Sequence, residues 1–126
     1  MTRIDLNCDL GEGAGHDADL MPLITSANIA CGAHAGGWES MVDAVRCAVR
    51  HGVMIGAHPG YANRENFGRI ERAILPDEAG RMVRQQVQQL YEVGGTKLRH
   101  VKLHGALYNQ VSRDAHLAAG VVGELA

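Results

Sequence analysis

Aromatic side chains are scarce: Trp38, Phe67, Tyr61, Tyr91 and Tyr108 are the only five in 126 residues. The core must therefore be built from Ala, Val, Leu, Ile and Met, which suits helices laid on short buried strands. No apolar run approaches the roughly 20 residues that a membrane-spanning helix needs. The first residues lead straight into a strand-like segment, without an apolar signal region. Charge of one sign is missing too, since 12 basic and 14 acidic residues are mixed along the chain and leave a net charge of -2. That excludes the basic stripe of a nucleic-acid binder and the acidic run of an interaction tail. Cys8, Cys31 and Cys47 make an odd count with no CxxC pair, so the expectation is free thiols in a reducing cytoplasm. Nor does a GxxxxGK[ST] segment occur, so a nucleotide is not held by that route.

What is present is an alternation of short apolar runs and amphipathic stretches. Ile4 to Cys8, Ala27 to Cys31, Val53 to Ala57 and Leu98 to Leu103 read as buried strands. Uninterrupted apolar strands imply cover on both faces, as in a parallel sheet. Asp17 is placed to cap a short helix that Pro22 limits. Trp38 to His51 forms the clearest helix, with Trp38, Met41, Val42, Val45 and Val49 on one face and Gly52 as its stop. Pro76, Asp77 and Glu78 suit the start of a second long helix, whose stripe is Met82, Val83, Val87 and Leu90, ended by Gly94 and Gly95. A last helix starts at Asp114, with Leu117, Val121, Val122 and Leu125 on one side. Residues 1–126 thus form a single α/β domain of about four strand-helix units, with a parallel sheet. Ile4, Leu6, Ile29 and Ile55, or their neighbours, are expected to fill the inner face of that sheet.

Titratable groups collect after the strands. The first is followed by Asp9 and Glu12, the second by His34, the third by His58, and the fourth by Lys102 and His104. In parallel α/β folds the strand C-termini share one face, and that face carries the active site. A lone histidine beside glycine is more often a turn or packing residue. The recurrence of His34, His58 and His104 at equivalent places argues otherwise. His16, His51, His100 and His116 lack that relation and read as structural or surface residues. Lys102 alternates with His104, so both point one way, and an inward ammonium needs a partner such as Asp9 or Glu12. Arg69, in the loop after the third strand, either holds a substrate carboxylate or pairs with Glu65 or Glu71.

Several motifs in order resemble the LamB/YcsF family: Asp5-Leu6-Asn7-Cys8-Asp9-Leu10-Gly11-Glu12, then Asn28-Ile29-Ala30-Cys31-Gly32 and His34-Ala35-Gly36. Gly56-Ala57-His58-Pro59-Gly60-Tyr61, Phe67-Gly68-Arg69 and Lys102 to Asn109 complete the series. The resemblance implies the A component of a 5-oxoprolinase, which opens 5-oxoproline (pyroglutamate) to glutamate with ATP alongside partner subunits B and C. It also implies a seven-stranded (β/α) barrel, distantly similar to polysaccharide deacetylases. Two departures stand out: an acidic residue is usual in place of Gly37, and a proline in place of Leu103. A barrel of this kind needs well over about 200 residues, so the chain is expected to form an N-terminal half-barrel. Its open edges are expected to self-associate or to pair with a C-terminal half.

Opening a lactam requires an activated water, a polarised carbonyl and a protonated leaving nitrogen. Asp9 or Glu12 is assigned as general base, and His58 and His104 as acid or carbonyl-stabilising groups. Lys102 is placed on the developing oxyanion or on a phosphate. Asn7, Tyr61 and Tyr108, within the matching motifs, join Arg69 as candidate substrate contacts. His34, His58, His104 and Asp9 are equally suitable donors for zinc or a similar divalent ion, and sequence leaves the acid–base and metal schemes open. Two rival functions are a metal-dependent deacetylase, separable by acetate rather than ATP-dependent glutamate release, and an inactive partner-binding fragment.

Overall fold

A computed structural model describes residues 1–126. Four strands, β1 (Asn7–Leu10), β2 (Ser26–Ala30), β3 (Met54–His58) and β4 (Leu98–Val101), lie in the order β1-β2-β3-β4. All three pairings are parallel. The helices are α1 (Asp17–Leu20), α2 (Trp38–His51), α3 (Pro76–Gly94), α4 (Gly105–Arg113) and α5 (Ala115–Leu125). The sheet stays open, with β1 and β4 each paired on one side only, as in a half-barrel.

Local chemistry sets the helix limits. Gly37 has no side chain to cap α2, and only the reciprocal half of a capping box is present, the Ser40 hydroxyl oxygen accepting the Gly37 N–H at 2.7 Å. Gly52 ends α2 in the left-handed region at φ 67°, its N–H donating to the Ala48 and Val49 carbonyls. Pro76 opens α3, where its missing N–H costs nothing. Asp114 caps α5 by accepting the N–H groups of His116 and Leu117, both at 3.0 Å. Asp17 is not a cap: it is the first residue of α1, and its carboxylate accepts the Gly11 N–H at 2.8 Å.

Two apolar clusters carry the packing. The larger joins Leu10, Ala27, Ile29, Ile55 and Ala57 from the sheet to Met41, Ala44 and Val45 of α2 and to Leu90 of α3. The smaller gathers Tyr61 with Ala79 and Val83 of α3, Ala106 and Leu107 of α4, and Leu117 and Val121 of α5. Ile29 and Ile55 therefore face the helices, not the inner side of the sheet. Ile4 and Leu6 precede β1 and are 84% and 54% exposed. The inner face is polar instead, because period-two alternation sends Asn7, Asp9, Asn28, His58, His100 and Lys102 there together. Trp38, Val49, Val122 and Leu125 also lie exposed, although their spacing assigned them to buried stripes.

Candidate active site

The C-terminal ends of the strands deliver Asp9, Glu12, His34, His58, Lys102 and His104 to one place. Asp9 of β1 pairs in register with Asn28 of β2, and its Oδ1 accepts from Lys102 Nζ at 2.8 Å and from Asn28 Nδ2 at 3.0 Å. Its other oxygen lies 3.3 Å from His58 Nε2. Glu12 Oε1 accepts from His34 Nε2 at 3.3 Å and lies 3.6 Å from His58 Nε2 and 3.9 Å from His104 Nδ1. His34, His58 and His104 are all buried.

Backbone carbonyls fix two of the imidazoles. His58 Nδ1 donates to the Lys102 carbonyl at 2.7 Å, and His104 Nε2 donates to the Phe67 carbonyl at 2.6 Å. With those protons committed, His58 Nε2 and His104 Nδ1 face each other across 3.1 Å as two lone pairs. Two acceptors at that distance repel unless a positive centre lies between them. Glu12 Oε1 and Asp9 Oδ2 add negative charge to the same spot. These residues could hold a cation there, either a proton or a metal ion.

The loop after β3 shapes this centre. Phe67 adopts φ 57° and Gly68 φ 65°, a turn that aims the Phe67 carbonyl at His104. A Cβ on Gly68 would come within 2.9 Å of the His34 Cβ, so this loop seats directly on the histidines. His34 stacks flat on His104, with ring centroids 3.7 Å apart and planes 7° from parallel. Its Nδ1 is buried without a hydrogen-bond partner.

Electrostatics separate the carboxylates from the bases. His58, whenever its Nε2 carries a proton, is the largest influence on Asp9; with Lys102 and Asn28 it outweighs burial and holds the carboxyl far below its usual range. Burial works to raise Glu12, but the His34 hydrogen bond and the surrounding imidazoles bring it out below the ordinary value. Burial pulls His104 below the normal imidazole range, against the opposing pull of the Phe67 carbonyl. Asp9 is thus a poor proton acceptor at neutral pH, and His104 is neutral there.

Beside the cluster opens a cavity of about 300 Å³ lined by Asp9, His58, Arg69, Lys102, Tyr108 and Asn109. Arg69 makes no ion pair with Glu65 or Glu71; Glu71 is held by Arg113, and the Arg69 guanidinium lies 5.2 Å from the Phe67 ring centroid. Asn7 sits one step back along β1, accepting from Asn28 at 2.8 Å. Tyr61 is a correction: it is fully buried in the smaller cluster, and its hydroxyl donates to Gln110 Oε1 at 2.6 Å. It has no access to the cavity. A larger cleft at Ile74, Glu78 and Leu117 lies among the helices, away from the histidines.

Asn28 and His100 were missed as members of this network. Asn28 Nδ2 joins Asn7 to Asp9, and its Oδ1 accepts from His100 Nε2 at 2.7 Å. A polar Asn between Ala27 and Ile29 in a buried strand, and the His100, Lys102, His104 alternation, were the available signals.

A parallel α/β half-barrel with its titratable groups at the strand C-termini defines the class. The LamB/YcsF family model matches residues 4–126, and the chain belongs to that family. Among solved structures, it is similar to a lactam utilization protein from Thermus thermophilus, at 41% identity and a TM-score of 0.92. That match covers 98% of this chain and 53% of the other, so the chain spans about half the length of that protein. No helix is long and apolar enough to cross a membrane.

Proposed function

We propose that this chain carries catalytic groups for opening a lactam, with 5-oxoproline as substrate and glutamate as product, in an ATP-dependent reaction shared with partner subunits B and C. The observation that carries the proposal is the convergence of Asp9, Glu12, His58, Lys102 and His104 beside a small polar cavity. Likeness to a lactam utilization protein supplies the substrate class.

The groups divide by charge. The lone pairs of His58 and His104 hold a cation at the point both nitrogens face; without a metal ion there, that cation is the proton lost by water, which passes on to the departing lactam nitrogen. Asp9, too weakly basic for that role, holds Lys102 in place. Lys102 and Arg69 bring positive charge to the cavity, where one stabilises the developing oxyanion and the other binds the substrate carboxylate. Tyr108 and Asn109 complete the wall. ATP is handled by the partners or by another surface, as the missing phosphate loop leads one to expect. The experiment is glutamate release from 5-oxoproline by this protein, its barrel completed by the C-terminal half, together with subunits B and C, with and without ATP. ATP-dependent glutamate formation is expected; its absence from an assembled, folded complex would overturn the assignment.

A further inference from the structure

The geometry points to a divalent metal site made by Glu12, His58 and His104, with His34 as a positioning residue and not a ligand. Glu12 Oε1, His58 Nε2 and His104 Nδ1 are separated by 3.6, 3.9 and 3.1 Å. The point equidistant from all three lies about 2.1 Å from each, which is the length of a Zn–N or Zn–O bond. The triangle is therefore of the size that such an ion needs. The His58 and His104 rings meet at 83°, so both in-plane lone pairs can aim at that shared point.

His34 cannot join them. Its ring lies parallel to that of His104 at 3.7 Å, and two stacked imidazoles cannot direct in-plane lone pairs to one ion. It instead donates to Glu12 at 3.3 Å and fixes the carboxylate. The two ligating histidines are steadied in the same manner, each donating its far N–H to a backbone carbonyl. Such outer contacts orient ligands and commonly change metal affinity by about 10- to 100-fold. Two imidazoles and one carboxylate favour a first-row ion of the zinc kind over magnesium or calcium, which take oxygen donors. Because His58 and His104 also line the cavity, the remaining coordination position opens toward the substrate, as in catalytic rather than structural zinc sites. An ion there occupies the point where the two lone pairs meet, and it would supply Lewis acidity to a water or carbonyl.

The test is titration of the chelator-treated 126-residue chain with Zn²⁺ by calorimetry, and with Co²⁺ by visible absorption. A His51→Ala background removes the surface pair of Cys47 and His51, 3.8 Å apart. One equivalent is expected, with a Co²⁺ band of low coordination number. Glu12→Gln and His104→Ala should each weaken binding at least about tenfold, and His34→Ala should weaken it while leaving the Co²⁺ band in place. Thermal melts by circular dichroism establish that each variant is folded, and Glu12→Gln, the mildest change, decides the case if His104→Ala is not. Binding unaffected by Glu12→Gln, no binding at all, or a band lost in His34→Ala but kept in His104→Ala would overturn the site. Neither readout uses lactam turnover, so this result and that of the glutamate assay stand apart.

Discussion

Two glycines in α5 should respond to alanine with opposite signs. A Cβ on Gly120 would lie 2.4 Å from the Pro76 carbonyl oxygen and 2.6 Å from its carbon. These are backbone atoms at the start of α3 and cannot rotate away. Reaching ordinary contact means moving α5 outward by about 1 Å, and a gap of that size forfeits a quarter to a half of the dispersion well of each facing atom pair. Leu117 and Val121, which pack with Ala79 and Val83, bear the loss. Overpacking of this kind costs about 1–3 kcal/mol, and the weakened burial of two side chains adds roughly 1–2 kcal/mol. Alanine's helix propensity returns about 1 kcal/mol. The net expectation for Gly120→Ala is a destabilisation of about 2 kcal/mol. Gly123, three residues on, has nothing within 4 Å of its would-be Cβ. Gly123→Ala should therefore stabilise by roughly 0.5–1 kcal/mol. Urea denaturation followed by far-ultraviolet circular dichroism measures both. If Gly120→Ala were as stable as Gly123→Ala, the close α3–α5 contact would not exist as described. The same cluster backs Ala106 and Leu107, which follow His104 in the chain, so loosening it would reach the histidine cluster.

Further outcomes follow from buried titratable groups. Burial pulls His100 below the ordinary 6.5, so the unfolded chain binds the extra proton first. Stability should then fall as pH drops below about 6.5, and His100→Gln should flatten that slope in thermal melts between about pH 7 and pH 5. A slope identical in both proteins would refute it. Burial raises Cys31 to about 11 from the usual 9.0, which keeps it a thiol at about pH 8. Iodoacetamide should spare Cys31 in the folded protein and label it only on unfolding, as mass spectrometry would show. Above about pH 9 the unfolded thiol ionises first, so stability should decline from there toward about pH 11.

The helices were legible where periodicity and stops agreed. Trp38 to His51 was bounded correctly because Gly52 supplies an unambiguous end. The strands were found but displaced, most of all β1, which begins at Asn7 rather than Ile4. Just before it, the Leu6 N–H donates to the Thr25 hydroxyl at 2.7 Å rather than to a neighbouring strand's carbonyl. Helix α4 was not anticipated, since Asn109, Gln110 and Ser112 obscure its apolar face and Asp114 breaks it from α5. The titratable residues of the site were recognisable from their recurrence after strand ends. Their exact partners were not: which carboxylate takes Lys102, and which turns toward His34, depends on strand stagger of a few ångströms. Periodicity separates the two faces of a strand without saying which way each points, so it does not disclose that Ile29 and Ile55 face the helices. Tyr61 lies within one of the matching motifs, but its burial comes from contacts with α4 that no local pattern shows.

If the histidine–carboxylate cluster performs the chemistry, the most direct measurement is the rate of glutamate release from 5-oxoproline by a barrel completed with its C-terminal half, in the presence of subunits B and C and ATP. The comparison is His104→Ala against the unaltered protein and against His51→Ala. His104 faces His58 at 3.1 Å at the cavity wall, whereas His51 bonds only its own helix. The expected result is a loss of at least about a hundredfold in His104→Ala and no change in His51→Ala. A folded His104→Ala protein releasing glutamate at a near-normal rate would contradict it.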